Sequence, residues 1–267
     1  MLFVGITGGV GAGKSEILSY LRTKYNSKVM LTDEIAHDVM EPGTACYDQL
    51  KKIFEDVQVE VSDHDSDSGE PNVPQSVYNA DGTFNRQNLA RVIFADDTKR
   101  EALNGIVHPA VKQYVIDQYQ AEKAKAEKVI TKKAEEEEYQ KKTAEEACQR
   151  QSADELYSGR PEDALWESEC ERPIDLLVVE SALLIDDNYG AICDEMWYIY
   201  TTEENRSMRL KASRGYSDEK IQSIFDSQLS EPEFREACKE VIDNNQTPEE
   251  AFSQIREILK KREIYEI

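Results

Sequence analysis

The stretch that most constrains the fold of this chain lies near its start, in residues 3–18. Apolar residues at its beginning predict a buried strand, and the spacing of Ile17, Leu18 and Leu21 predicts a helix. Between them, GGVGAGKS matches G-x-x-x-x-G-K-[ST] in the strand–turn–helix context that this pattern requires. Glycines let such a loop turn its backbone N–H groups around an anion, and the helix dipole adds positive potential at the same place. The sequence therefore predicts a phosphate-binding loop.

The residue types in this loop indicate how a nucleotide would be held. Lys14 would reach the β- and γ-phosphates, and the hydroxyl of Ser15 would ligate Mg²⁺. Glu180 ends a later apolar run, where a fold of this kind places a carboxylate beside the metal ion, so Mg²⁺ is expected between Ser15 and Glu180. The residues expected to bind the nucleotide are Gly8, Gly9, Gly11, Ala12, Gly13, Lys14, Ser15 and Glu16.

The composition excludes several classes of partner. The chain has 32 Lys and Arg against 54 Asp and Glu, a net charge of −22, which argues against broad binding to nucleic acid or to an anionic membrane. Five scattered cysteines without a C-x-x-C pair indicate reduced thiols. No apolar window is long enough to span a bilayer, and the start lacks a cleavable signal. We therefore expect a cytoplasmic protein.

Four further apolar runs predict strands, and helical segments alternate with them. The runs are residues 28–31, 174–180, 195–200 and 241–243, and the last helix is expected from Pro248 to about Arg262. Strands that alternate with helices behind a phosphate-binding loop are typical of an α/β fold with a doubly wound parallel sheet.

The segments between these strands carry weaker signals. Residues 56–80 are polar and predict a solvated loop. The stretch from Asp81 predicts two or three short amphipathic helices, with His108-Pro109 at a helix junction and no chemistry assigned to His108. Residues 119–150 combine opposite charges with few large apolar side chains, so they predict a solvated helical projection, and residues 151–172 an acidic loop.

Asp33 follows the second predicted strand, at the sheet edge where α/β proteins bind ligands. A helix is expected from about Glu34 to Met40. Asp33 is therefore either the N-cap of that helix or a functional carboxylate, and the two roles can coexist.

Several stretches taken together resemble the dephospho-coenzyme A kinase family. They are GITGGVGAGKS, TDEIAHDVMEPGT, DGTFNRQNLARVIFADDTKREALNGIVHP, the ALL of VVESALLI with CDEMWYIY, SRGYSDEKIQSIFDSQLS, and VIDNN. The resemblance implies one P-loop kinase unit: a nucleotide-binding core at 1–33 and 173–267, a helical substrate subdomain at 34–118, a charged helical insertion at 119–172, and a mobile lid at 203–236. It implies transfer of the γ-phosphate of ATP to the ribose 3′-hydroxyl of dephospho-coenzyme A, the last step of coenzyme A biosynthesis.

The resemblance also implies roles for individual residues. Asp33 would accept the proton of the acceptor hydroxyl or orient that hydroxyl. Lys14 would hold the ATP phosphates. Arg209 or Arg214 from the lid would cover the transferring phosphoryl group, and lid closure would exclude water.

The chain departs from the family pattern at several positions. Leu31 stands where the family usually has a first Asp, Glu16 replaces the customary Thr, and Arg214 is shifted by one position in the lid. Two alternatives stay open: another P-loop kinase that acts on a nucleoside or nucleoside monophosphate, and an ATP-responsive regulatory module that holds a partner through residues 119–172. The sequence contains no pattern that specifies an oligomeric state.

Overall fold

The computed structural model describes residues 1–60, 74–150 and 172–267. In chain order the elements are β1 (Leu2–Thr7), α1 (Lys14–Lys24), β2 (Ser27–Leu31), α2 (Thr32–Val39), α3 (Ala45–Phe54), β3 (Gln58–Glu60), β4 (Pro74–Ser76), α4 (Arg86–Ala95), α5 (Asp97–Arg150), β5 (Leu176–Glu180), a 3-10 helix (Tyr189–Ala191), β6 (Glu195–Tyr200), α6 (Glu203–Arg214), α7 (Asp218–Asp226), α8 (Glu231–Ala237), β7 (Glu240–Asp243) and α9 (Pro248–Lys260).

A five-stranded parallel sheet forms the centre of the molecule, in the order β2-β5-β1-β6-β7. In this register Val4 of β1 lies beside Val178 of β5 on one side and Glu195 of β6 on the other. The five predicted strands are all present, so the prediction of a doubly wound parallel sheet is confirmed. Because parallel strands end at the same edge, the loop after β1, the start of α2 after β2 and Glu180 at the end of β5 come together there.

Helices cover both faces of the sheet, since alternate residues of a strand point to opposite sides. Val4 and Ile6 face α1 and α9, and pack in one buried cluster with Ile17 and Ile255. Phe3 belongs to the cluster on the other face, whose buried side chains come also from the helices α2, α3, α4, α5 and α8. Each fully buried aliphatic or aromatic side chain contributes roughly 1.5–3 kcal/mol to folding.

The prediction of a helix junction at His108-Pro109 is wrong. Both residues lie inside α5, a single helix of 54 residues. Proline normally breaks a helix because it lacks an N–H and crowds the preceding turn. Here the buried side chains Val107 and Val111 flank Pro109 and pack against the core, and this tertiary packing keeps the helix continuous.

The distal part of α5 is the helical projection that the charge pattern predicts. Its base belongs to the core, because the ring of Tyr119 stacks on Phe3 at 4.9 Å and the buried carboxylate of Glu122 contacts Lys28 at 3.1 Å. None of the described side chains from Lys123 to Thr143 is buried.

The polar stretch 56–80 is not a simple loop. Gln58–Glu60 and Pro74–Ser76 pair as a short antiparallel ladder, which the sequence analysis missed because three-residue strands leave almost no alternation to detect. The residues between the two strands, 61–73, and the expected acidic loop at 151–171 lie outside the described residues.

The last helix begins as predicted, with the Thr247 hydroxyl accepting a hydrogen bond from the N–H of Glu250 and Pro248 in the first turn. It ends at Lys260, slightly earlier than expected. No helix in the described ranges has the length and apolarity needed to cross a membrane.

Glu195, at the start of β6, joins the sheet to the C-terminal segment. Its buried carboxylate accepts hydrogen bonds from Arg262 at 2.8 Å, from Lys239 at 2.7 Å and from the indole N–H of Trp197 at 3.0 Å. Burial alone raises the pKa of this carboxyl, but the three donors outweigh burial and lower the pKa to about 2, from an ordinary value of 4.5. The folded state therefore favours the ionised carboxylate.

We expect Glu195→Gln to lower the free energy of unfolding by about 2 to 3 kcal/mol at pH 7. Because the folded-state pKa lies below the unfolded-state value, this stabilisation is complete above about pH 5 and declines as the pH falls toward 2. Urea unfolding at pH 7 and pH 3.5 measures both effects. Glu249→Gln is the control, since that side chain is 74% exposed and its contact with Arg256 is long. Equal losses at the two pH values would contradict this account.

Candidate active site

The phosphate-binding loop between β1 and α1 has a backbone that only glycine adopts readily. Gly11 has a φ of 84° and Gly13, the N-cap of α1, a φ of 86°. A Cβ atom on Gly13 would also lie 2.4 Å from Nδ2 of Asn244. The glycines of the motif are therefore required both by backbone conformation and by close packing.

Alternate carbonyl groups of this loop are held by side chains. The donors are Nζ of Lys14 to Gly8 (2.7 Å), Nε of Arg206 to Val10 (2.9 Å) and Nδ2 of Asn244 to Ala12 (2.7 Å). In a planar trans peptide the C=O and the following N–H point in opposite directions. The N–H groups at positions 9, 11 and 13 consequently point away from these donors, as an anion-binding loop requires.

The carbonyl oxygen of Ala12 is the most heavily bonded atom of the loop. Besides Asn244 it accepts hydrogen bonds from Oγ1 of Thr201 at 3.1 Å and from Nη1 of Arg209 at 3.3 Å. Nη2 of Arg209 also donates to the backbone oxygen of Asn244 at 2.7 Å. Arg209, predicted to cover the transferring phosphoryl group, thus has its guanidinium on backbone carbonyls behind the loop.

Lys14 and Glu180 form an ion pair where β1 and β5 end, with Nζ and Oε1 3.5 Å apart. Burial lowers the pKa of Lys14, and the nearby Glu180 carboxylate opposes this shift. Burial raises the pKa of Glu180, which Lys14 opposes and the charge of Asp33 reinforces. Ser15 and Glu16 follow in the first turn of α1, where both are exposed.

Asp33 lies in the first turn of α2, and the interpretation of Asp33 as the N-cap is wrong. The helix begins at Thr32, earlier than expected, so the N-cap position falls on Leu31 and no side chain caps the helix. The exposed carboxylate of Asp33 is thus not used as a cap. It faces a cavity and is near enough to Lys14 and Glu180 for its charge to influence both pKa values.

Two cavities meet at this edge of the sheet. The first, of 410 Å³, lies between α2, α5 and the loop after β5, and its polar lining includes Asp33, His37, Asn104 and His108. The second, of 480 Å³, lies between Gly8 and the segment that joins α7 to α8. Both are lined by Ala182 and Leu183 in the loop after β5, so the two cavities lie next to each other at this loop.

His108 connects two walls of the first cavity, α5 and the loop after β5. Its Nδ1 lies 3.4 Å from Oδ1 of Asp187, in the loop after β5, and Lys112 one turn further along α5 donates to the backbone oxygen of the same residue at 2.6 Å. These contacts support the sequence interpretation of His108 as a packed residue.

The predicted lid, residues 203–236, contains the helices α6, α7 and α8. The two cations predicted there, Arg209 and Arg214, have different surroundings. Arg214 lies at the C-terminal end of α6, with its guanidinium 5.8 Å from the ring centroid of Tyr216. Arg206, which was not among the predicted site residues, is buried and contacts the loop directly. The i, i+3 spacing of Arg206 and Arg209 places both on one helix face, a signal that could have favoured them over Arg214.

A phosphate-binding loop after the first strand of a parallel sheet, with helices α6–α8 beside it and two adjacent cavities at the same edge, defines a P-loop kinase. The chain belongs to the dephospho-CoA kinase family, whose model, described as "Dephospho-CoA kinase", matches residues 2–134 and 165–250. Its activity is that of the family, phosphorylation of dephospho-coenzyme A with ATP in the last step of coenzyme A biosynthesis. The two alternatives, a P-loop kinase that acts on a nucleoside or nucleoside monophosphate and an ATP-responsive regulatory module, are not favoured.

Individual relatives agree with this assignment. The dephospho-CoA kinase of Oceanobacillus iheyensis is 26% identical over 260 residues, 97% of each chain. The dephospho-CoA kinase of Saccharomyces cerevisiae is 26% identical over 262 residues, 98% of this chain and 83% of the yeast protein. The crystal structure of a Thermus thermophilus protein superposes with a TM-score of 0.58 at 20% identity, covering 97% of both chains, and so supports the fold.

We expect Asn244→Ala to weaken ATP binding about tenfold, or about 1.4 kcal/mol, because the Ala12 carbonyl loses its shortest hydrogen bond and the loop becomes less ordered. Calorimetric titration with ATP measures the change. Asn245→Ala is the control, since this neighbour holds the backbone N–H of Thr202 at 2.8 Å instead of the loop. Unchanged affinity in Asn244→Ala would show that this hydrogen bond does not order the loop for ATP.

Proposed function

We propose that Asp33 directs transfer of the γ-phosphate of ATP to the ribose 3′-hydroxyl of dephospho-coenzyme A. The observation that carries this proposal is the position of its exposed carboxylate, which lines the 410 Å³ cavity and is electrostatically coupled to the Lys14–Glu180 pair. A carboxylate between an acceptor cavity and a phosphate-binding loop can accept the hydroxyl proton or align the hydroxyl for in-line attack.

The ATP phosphates would bind to the loop amides and to Lys14. The side chain of Lys14 is only 15% exposed, so its charge acts in a medium of reduced dielectric and attracts a phosphate more strongly than a solvated lysine does. The loop carbonyls are already bonded to Lys14, Arg206 and Asn244, which leaves the opposing amides oriented for an anion.

Mg²⁺ would be held by Ser15 and Glu180. The Ser15 hydroxyl is exposed beside the loop and the Glu180 carboxylate ends β5 at the same edge, which gives the hard oxygen donors that Mg²⁺ prefers together with phosphate oxygens. When bound, the ion would neutralise part of the charge on the phosphates.

We also propose the cytoplasm as the location of this reaction.

The lid at residues 203–236 would supply cationic side chains to the transferring phosphoryl group. Arg206 donates to the loop carbonyl of Val10, Arg209 donates to the loop carbonyl of Ala12 and to the backbone oxygen of Asn244, and Arg214 lies at the helix end. In this proposal Arg206 holds the loop tip from its carbonyl side, opposite the amides that would bind the phosphates, and Arg209 or Arg214 contributes as the lid closes and excludes water. We also propose that the chain is divided into a core at 1–33 and 173–267, a substrate subdomain at 34–118 and an insertion at 119–172.

The function is tested by following ADP formation with and without dephospho-coenzyme A, and by locating the new phosphate on the product by NMR. We expect ADP formation to depend on dephospho-coenzyme A and the phosphate to lie on the ribose 3′-oxygen. A panel of nucleosides and nucleoside monophosphates serves as the comparison. Faster turnover with one of these would overturn the proposed acceptor.

Asp33→Asn should reduce kcat at least a hundredfold, since an amide hardly accepts a proton and a positioned base contributes about 10²–10⁴-fold. The melting temperature and the affinity for ATP should stay unchanged, because Asp33 caps no helix. Glu34→Gln is the matched control, an adjacent exposed carboxylate in the same helical turn. If both variants keep the parental kcat, Asp33 has no catalytic role.

The insertion should be dispensable for catalysis. Residues 135–164 lie outside the family match, and replacing them with a Gly/Ser linker should leave kcat/KM within about threefold, or under about 1 kcal/mol. Tyr119→Ala provides the contrast, because loss of the stacking on Phe3 should lower the melting temperature. A folded linker variant with collapsed activity would show that the insertion contributes to the substrate site.

A further inference from the structure

Both backbone groups of Val10, at the tip of the phosphate-binding loop, are bound by side chains of the lid. Its N–H donates to Oε1 of Gln228 at 3.3 Å, and its C=O accepts from Nε of Arg206 at 2.9 Å. Nη2 of Arg206 donates in turn to Oε1 of Gln228. The three groups therefore close a ring of hydrogen bonds that fixes the orientation of the loop tip.

This ring joins two separate parts of the lid. Arg206 belongs to α6, whereas Gln228 lies in the segment between α7 and α8 that lines the 480 Å³ cavity. The guanidinium of Arg206 also lies 4.2 Å from the ring centroid of Phe225, so it is held on its flat face as well as at its edge. A long arginine side chain fixed in this way loses its rotational freedom during folding instead of during catalysis.

The loop itself is shaped to admit this guanidinium. A Cβ atom on Gly9 would lie 2.3 Å from Cζ of Arg206, so only glycine allows the side chain to approach. The charge of Arg206 also contributes to the lowered pKa of Lys14, which shows that the two cations are close. The Gln228 oxygen thus orients a cation next to the phosphate-binding residues.

We propose that Gln228 is a positioning residue for phosphoryl transfer. It acts through Arg206 and the backbone of Val10, holding the lid cation and the loop tip in one geometry, and it makes lid closure dependent on the correct loop conformation. This inference rests on the proposed function, in which Arg206 holds the loop that binds the ATP phosphates.

Gln228→Met tests this role, because methionine has a similar length and shape but lacks the strong acceptor oxygen. We expect kcat for coenzyme A formation to fall about tenfold, with KM for dephospho-coenzyme A within about twofold. The fraction of ADP formed without coenzyme A should rise, since a loosened lid admits water. Gln222→Met is the control: it lies on the exposed face of α7 and bonds only Asp226, at 2.7 Å.

A double-mutant cycle with Arg206→Lys separates positioning from general stability. If Gln228 acts through Arg206, adding Gln228→Met to Arg206→Lys should lower kcat by less than about twofold further. Gln228→Glu retains an acceptor oxygen and should keep kcat within about threefold of the parent. Gln228→Met lacks this oxygen, so its kcat should fall while its melting temperature stays unchanged.

Three results would overturn the inference: parental kcat in Gln228→Met, losses that multiply in the double mutant, or a kcat in Gln228→Glu as low as in Gln228→Met. Failure of the proposed function itself is distinguishable. In that case the parent protein would show no ADP formation that depends on dephospho-coenzyme A. An active parent beside an equally active Gln228→Met variant removes only the role of Gln228.

Discussion

The site depends on the hydrogen bonds that hold the carbonyl groups of the phosphate-binding loop. The Ala12 carbonyl receives donors from Thr201, 189 residues away, and from Asn244, 232 residues away. Ordering one residue of a free glycine-rich loop costs roughly 1–2 kcal/mol. Because side chains from other elements order the loop as the protein folds, that cost does not fall on nucleotide binding.

The charge distribution around the loop differs from that of the whole molecule. The chain carries a net charge of −22, yet Lys14, Arg206 and Arg209 all contact the loop backbone. Coulomb attraction is strongest at short range and in partly buried surroundings, so in the proposed function these cations would attract a phosphate despite the net negative charge. The acidic surface contributes little there because ions screen it over about 10 Å.

Helix α5 runs from the 410 Å³ cavity to the exposed projection. Its first part lines the cavity through His108, its middle packs on the sheet through Tyr119, and the side chains from Lys123 to Thr143 are not buried. The sequence pattern predicts a break in this helix at Pro109, because a proline lowers helix stability wherever packing does not compensate. Here the buried neighbours of Pro109 supply that compensation, which a local pattern does not contain.

The sequence by itself determined the loop, the five strands and the sheet class, because glycine spacing and apolar periodicity are local properties. It also placed Asp33 and Glu180 at one edge, since parallel strands all end there. Only the tertiary structure decided which distant side chains reach the loop. Arg206, Gln228 and Asn244 meet it through contacts spanning about 200 residues, and no periodic pattern along the chain encodes such distances. The helix cap expected at Asp33 is also absent, because α2 begins at Thr32 and its N-cap position falls on Leu31.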